Sequence, residues 1–146
     1  MRISHQSVDY DLPDEWWNAS GIQEAVPSER SYFPSASPSP ELPVIYLAIS
    51  DVAPLVRNGS HGVFNDSLEF GTARDRVIRI LTGFREKSAI PPIEVSQLPL
   101  GSLARYKLIH GAHRLYCAIA AGYSHVPAIE VEDFWGTYPS ETRLRA

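Results

Sequence analysis

The chain has 146 residues, 44% of them hydrophobic and 21% charged, with a formal net charge of −4. That length suits one domain with its own core and excludes two full ones, and the composition excludes a disordered, charge-rich chain. The acidic balance withholds the broad basic field on which non-specific nucleic-acid binding depends, so a nucleic-acid partner needs a local patch and is not favoured. The single cysteine, Cys117, has no internal disulfide partner. With no basic start leading into an apolar run, and no apolar run long enough for a bilayer, a cytoplasmic protein without a membrane partner is expected.

In chain order, Tyr10 to Trp17 predicts a helix start, with Asp11 as a cap and acidic residues in the first turn. Trp16 and Trp17 are expected to pin this N-terminal arm to the domain by apolar burial, a partner-binding surface being the other reading. Residues 34–43 hold four prolines, which exclude a regular helix or central strand and predict a linker or an extended wrapping segment. Residues 1–42 therefore read as arm and linker, 43–132 as the domain and 133–146 as a tail.

Residues 44–49 form a short apolar, β-branched run, the pattern of a buried strand. Residues 58–71 are rich in Asn, Gly, Ser and Asp and predict a loop. From Ala73 to Lys87, Val77, Ile78, Leu81 and Phe84 recur at helical spacing, and Arg74, Arg76, Arg79 and Thr82 fall largely away from that stripe. Pro91 and Pro92 block helix continuation, Ile93-Glu94-Val95 starts a strand, and residues 106–109 supply its hairpin partner. Residues 112–121 are helix formers with Gly122 at the capping position, and residues 126–131 resume a strand with Pro127 near its start or at a sheet edge. The sum is an α/β (α+β) fold, a small mixed sheet flanked by helices.

Chemistry concentrates at His110-Gly111-Ala112-His113-Arg114, where a strand gives way to a helix. The first turn of a helix carries N–H groups without intrahelical partners and the positive end of the dipole, a natural anion site. Glycine admits a phosphate close to the backbone, a histidine ring N–H can donate, and an arginine offers a planar fork. The competing reading has His113 and Arg114 capping carbonyls or pairing with acids inside the fold. His110, His113, His125 and Cys117 invite a zinc reading, but His110 closes a strand while His113 opens a helix, so no zinc site is expected.

The run Ile90-Pro91-Pro92-Ile93-Glu94-Val95, then Tyr106 to Arg114, then Ala120-Ala121-Gly122-Tyr123 and Val126-Pro127-Ala128-Ile129 resembles the ParB/sulfiredoxin superfamily. The resemblance spans residues 43–132, with its specific part in 90–131. It implies that ATP, ADP or CTP binds with its phosphates over the Gly111 turn, and that phosphoryl transfer or nucleotide hydrolysis is the reaction class. Because members include partition proteins, sulfiredoxin, a free serine kinase and ParB-like nucleases, the fold leaves the reaction open. Ala112 stands where sulfiredoxins carry their catalytic cysteine, and Cys117 lies inside the helix, where a buried apolar role is expected. The helix-turn-helix domain that follows in partition proteins has no counterpart in the fifteen or so residues remaining.

In sulfiredoxin-like members the helix before the Pro-Pro strand also reaches the phosphates, which makes Arg76, Arg79 and Thr82 candidate ligands beside the 110–114 run. Asp66, Glu69 and Asp75, in or beside the preceding loop, are candidates to act as general base or hold Mg²⁺. Glu69, Asp75 and His113 are the catalytic candidates. The alternatives are a ParB-like nuclease or DNA-associated accessory protein using Arg74, Arg76 and Arg79, and a noncatalytic interaction module using the Trp16/Trp17 arm or the aromatic residues 134–138. The sequence leaves the oligomeric state open.

Overall fold

A computed structural model describes residues 1–23, 29–55 and 63–133. It shows a mixed α+β fold of two sheets and three helices. The chain opens with an antiparallel hairpin, β1 (Arg2–His5) and β2 (Val8–Asp11), turned by Gln6 and Ser7 at φ 49° and 73°. Two successive positive φ values suit the right-handed twist of a tight hairpin. Asp11 therefore ends a strand and does not cap a helix. Helix α1 (Asp14–Ser20) starts after Pro13, has no side-chain cap, and is closed by Gly21 in the left-handed region.

The second sheet contains β3 (Ile45–Ala48), β4 (Ile93–Gln97), β5 (Tyr106–His110) and β6 (His125–Glu130) in the order β3-β6-β4-β5. β6 runs antiparallel to β3 and parallel to β4, and β4 pairs antiparallel with β5 as the hairpin reading expects. One strand reading needs correction. β3 is an edge strand with Leu47 buried and Tyr46 exposed, so its apolar run does not mean burial on both faces. Pro127, fully buried opposite Tyr46, is the third residue of the internal strand β6, so the reading near the strand start holds and the one at a sheet edge does not.

Helix α2 (Ala73–Glu86) packs between α1 and α3 (Ala112–Ala121), and α3 touches β4 and the first hairpin. Val77 and Leu81 of α2, Leu115 and Cys117 of α3, and Ile93 and Val126 of the sheet meet in one core. Periodicity explains both helices, and the left-handed Lys87 and Gly122 end them.

The segment read as an arm belongs to that core. Leu12 is fully buried, Tyr32 stacks on Phe84 at 5.2 Å, and Trp16 and Trp17 are half-buried against the cluster. The start of the proline-rich segment runs extended beside Ile90, which donates to Phe33 O while Ser35 donates to Ile90 O. Among the described residues no helix is long and apolar enough to cross a membrane. Residues 134–138 and His61 lie outside the described residues.

Candidate functional site

β5 ends at His110 and α3 begins at Ala112, so the chain must reverse in one residue. Gly111 does so at φ 109°, a conformation that favours glycine. The space there is also closed to a side chain: a Cβ would stand 2.9 Å from Ile93 Cγ2, 3.1 Å from Arg114 Nη2 and 3.2 Å from Ile93 Cα. The turn opens on a cleft of about 480 Å³ whose other wall is α2 and the loop before it. That volume is in the range of small-molecule sites.

The cleft brings together His110, Gly111, Ala112, His113, Arg114, Arg76 and Arg79 from the sequence reading. Arg114 is largely desolvated, which pulls its guanidinium below the ordinary arginine value, while the charge of Glu94 opposes this and that of Arg76 adds to it. Its Nη1 donates to Pro92 O at 2.8 Å, tying the first turn of α3 to the residue before β4. Arg114 thus has a structural duty as well as a place in the cleft. Arg76 donates to Asn65 O at 3.4 Å, and among the described residues Arg79 has neither a hydrogen-bond nor an ion-pair partner.

His113 is buried, and its Nε2 faces the Asn65 N–H at 3.3 Å. A nitrogen that accepts there cannot also donate to a phosphate, so that atom serves to hold the loop against α3. The ring also lies 5.5 Å from Phe64.

Four candidates fall elsewhere. Thr82 does not line the cleft; its hydroxyl donates to Ser20 O at 3.5 Å, on the α1 side. The reason is helix geometry: residues six apart, such as Arg76 and Thr82, differ by about 120° around the axis. Glu69 and Asp75 also lie outside the cleft. Glu69 donates its N–H to Ser67 Oγ in the loop, and the Asp75 carboxylate faces Arg74 at 3.7 Å. The third carboxylate, Asp66, accepts from Ala73 N–H at 2.7 Å and joins Thr72, whose Oγ1 accepts from Asp75 N–H at 3.1 Å, in capping α2. Among the described residues no three His, Cys, Asp or Glu come together as a metal-binding group. Arg74 is held by Glu15 through two hydrogen bonds of 3.0 and 2.5 Å, which keep the Glu15 carboxyl below its usual range.

Sequence reasoning missed Leu55, Asn65 and Phe70 of the cleft wall. Cys117 is fully buried with its thiol pushed far up, as an apolar core role requires. A second, larger cavity of about 820 Å³ shares no residue with the Gly111 turn and is walled by aromatic rings, among them Tyr32, Phe84 and Tyr123. Comparison of the chain with protein-family models, curated proteins and solved structures returns no match.

Proposed function

We propose that this chain is a nucleotide-binding domain of ParB/sulfiredoxin type, taking the phosphates of ATP, ADP or CTP over the Gly111 turn. One observation carries the reading: Arg76, Arg79 and Arg114 share one cleft, and no carboxylate stands among its described lining residues, in a chain whose net charge is −4. Cations gathered against the overall balance, beside the first turn of α3, favour an anion of several charges. Arg79 is the side chain with most to offer, because it lines the cleft and has no hydrogen-bond or ion-pair partner among the described residues.

The reading is one of binding first. Phosphoryl transfer and hydrolysis need a base or a metal-holding carboxylate in reach, and Asp66, Glu69 and Asp75 are not among the described residues that line the cleft. The nuclease alternative is weakened by Arg74, which is held by Glu15.

The test is calorimetric titration with ATP, ADP and CTP, with and without Mg²⁺, on the parent chain and on Arg79→Ala. A charge-assisted hydrogen bond lost from the phosphates should weaken binding roughly ten- to a hundredfold. The melting temperature of the ligand-free protein should stay unchanged. Arg114→Ala should lose affinity and stability together, because its bond to Pro92 goes too. An Arg79→Ala variant that binds as the parent does would overturn the reading.

A further inference from the structure

Phe70 lines the same cleft with 55% of its surface exposed, on a loop that is closed upon itself. Ser67 N–H donates to Gly71 O at 2.9 Å, Gly71 N–H donates back at 3.0 Å, and Ser67 Oγ accepts from the N–H groups of Glu69 and Phe70, each at 3.1 Å. The loop therefore holds its aromatic ring beside the arginines with four hydrogen bonds of its own, not by burying the ring. The Arg76 guanidinium lies 5.8 Å from the ring centroid, within cation–π reach, and so links the ring to the charged part of the cleft. An apolar ring left in water next to a polyanion site gains by being covered by an apolar part of the same ligand.

Resting on the phosphate reading above, we propose that Phe70, backed by Arg76, is the stacking platform for the planar ring of the ligand. The site then takes phosphate esters of a flat heterocycle in preference to bare polyphosphate. It distinguishes one base from another only weakly, because a π-face offers stacking without hydrogen-bond readout.

The probes are ATP, CTP and inorganic tripolyphosphate, titrated into the full chain and into Phe70→Ala, Phe70→Leu and Phe70→Tyr, with the melting temperature of each variant measured alongside. The parent should bind ATP and CTP with similar affinity, and both more tightly than tripolyphosphate. Phe70→Ala should weaken the two nucleotides by about five- to a hundredfold while leaving tripolyphosphate unchanged. Phe70→Tyr should restore nucleotide binding, and Phe70→Leu, which keeps apolar bulk without the π-face, should fall between. Nucleotide affinity unaffected by Phe70→Ala, with tripolyphosphate still bound by the parent, overturns the platform and leaves the phosphate reading standing. Failure of all three probes to bind the parent overturns both.

Discussion

Replacing Gly111 by alanine tests whether the strand-to-helix turn is as tightly determined as its geometry implies. Two costs act at this position. A residue with a Cβ held at φ 109° pays about 1–3 kcal/mol in backbone strain. The new methyl would also meet Ile93 Cγ2 at 2.9 Å and Ile93 Cα at 3.2 Å. Ile93 is fully buried in β4, and its Cα belongs to the backbone, so neither can withdraw as a surface side chain would. Overpacking of that kind adds about 1–3 kcal/mol. Gly101 is the control that separates the two, since its φ is 89° but nothing lies within 4 Å of a Cβ there. Gly101→Ala should therefore pay the strain alone, and Gly111→Ala should cost about 1–3 kcal/mol more. Urea denaturation followed by tryptophan fluorescence resolves this, because an extra 2 kcal/mol moves the midpoint by about 1 M at an m-value near 2 kcal/mol/M. Equal midpoints for the two variants would refute the packing argument at Gly111.

Two further substitutions address the first hairpin. His5 is buried with its Nε2 at 2.7 Å from Val52 O, and burial lowers its pKa below the usual 6.5 although the Val52 bond opposes this. Between the lowered folded value and 6.5 the unfolded chain holds more protons, so His5 costs no stability above that window and takes stability away as pH falls through it. Urea midpoints should thus drop more steeply on acidification below 6.5 in the parent than in His5→Gln, and parallel pH curves would count against it. The Tyr10 hydroxyl is buried without a hydrogen-bond partner among the described residues, while its ring packs edge-on against Tyr116 at 4.5 Å. Tyr10→Phe keeps the ring contact and removes the unsatisfied group, so calorimetry should record a higher melting temperature, by a gain of about 1 kcal/mol; a lower one would show that the hydroxyl is useful.

Where chain periodicity and punctuation coincide, the fold was legible. α2, α3 and the β4–β5 hairpin follow from apolar spacing bounded by Pro91-Pro92, Gly111 and Gly122. The first hairpin was not, although Ile3, His5, Val8 and Tyr10 alternate and all turn toward the protein. Two of those four side chains carry polar atoms, and Gln6-Ser7 lacks the Asn-Gly or Asp-Gly signal of a tight turn. The start of the proline-rich segment follows its wrapping reading, running extended beside Ile90. Prolines exclude helix and central strand, but they do not separate a segment from the core, and Leu12 and Tyr32 before it are buried in that core.

At the site, local rules found the turn and tertiary rules decided the rest. Gly111, Arg114 and Arg79 could be read from a strand, a helix and the side of a helix. Thr82 could not, because a spacing of three drifts around the axis until the side chain faces α1. For two of the candidate carboxylates the partners were invisible in the sequence: Asp66 meets Ala73 N–H, and Asp75 faces Arg74, which Glu15 holds from another element. Those engagements explain how a chain of net charge −4 presents a cationic cleft. Asp66 turns to the Ala73 N–H and Asp75 to Arg74, while Arg76 and Arg79 of the same helix line the cleft with no carboxylate among the described lining residues. Charge segregation along one helix, rather than the composition of the chain, sets the sign of the field a ligand meets.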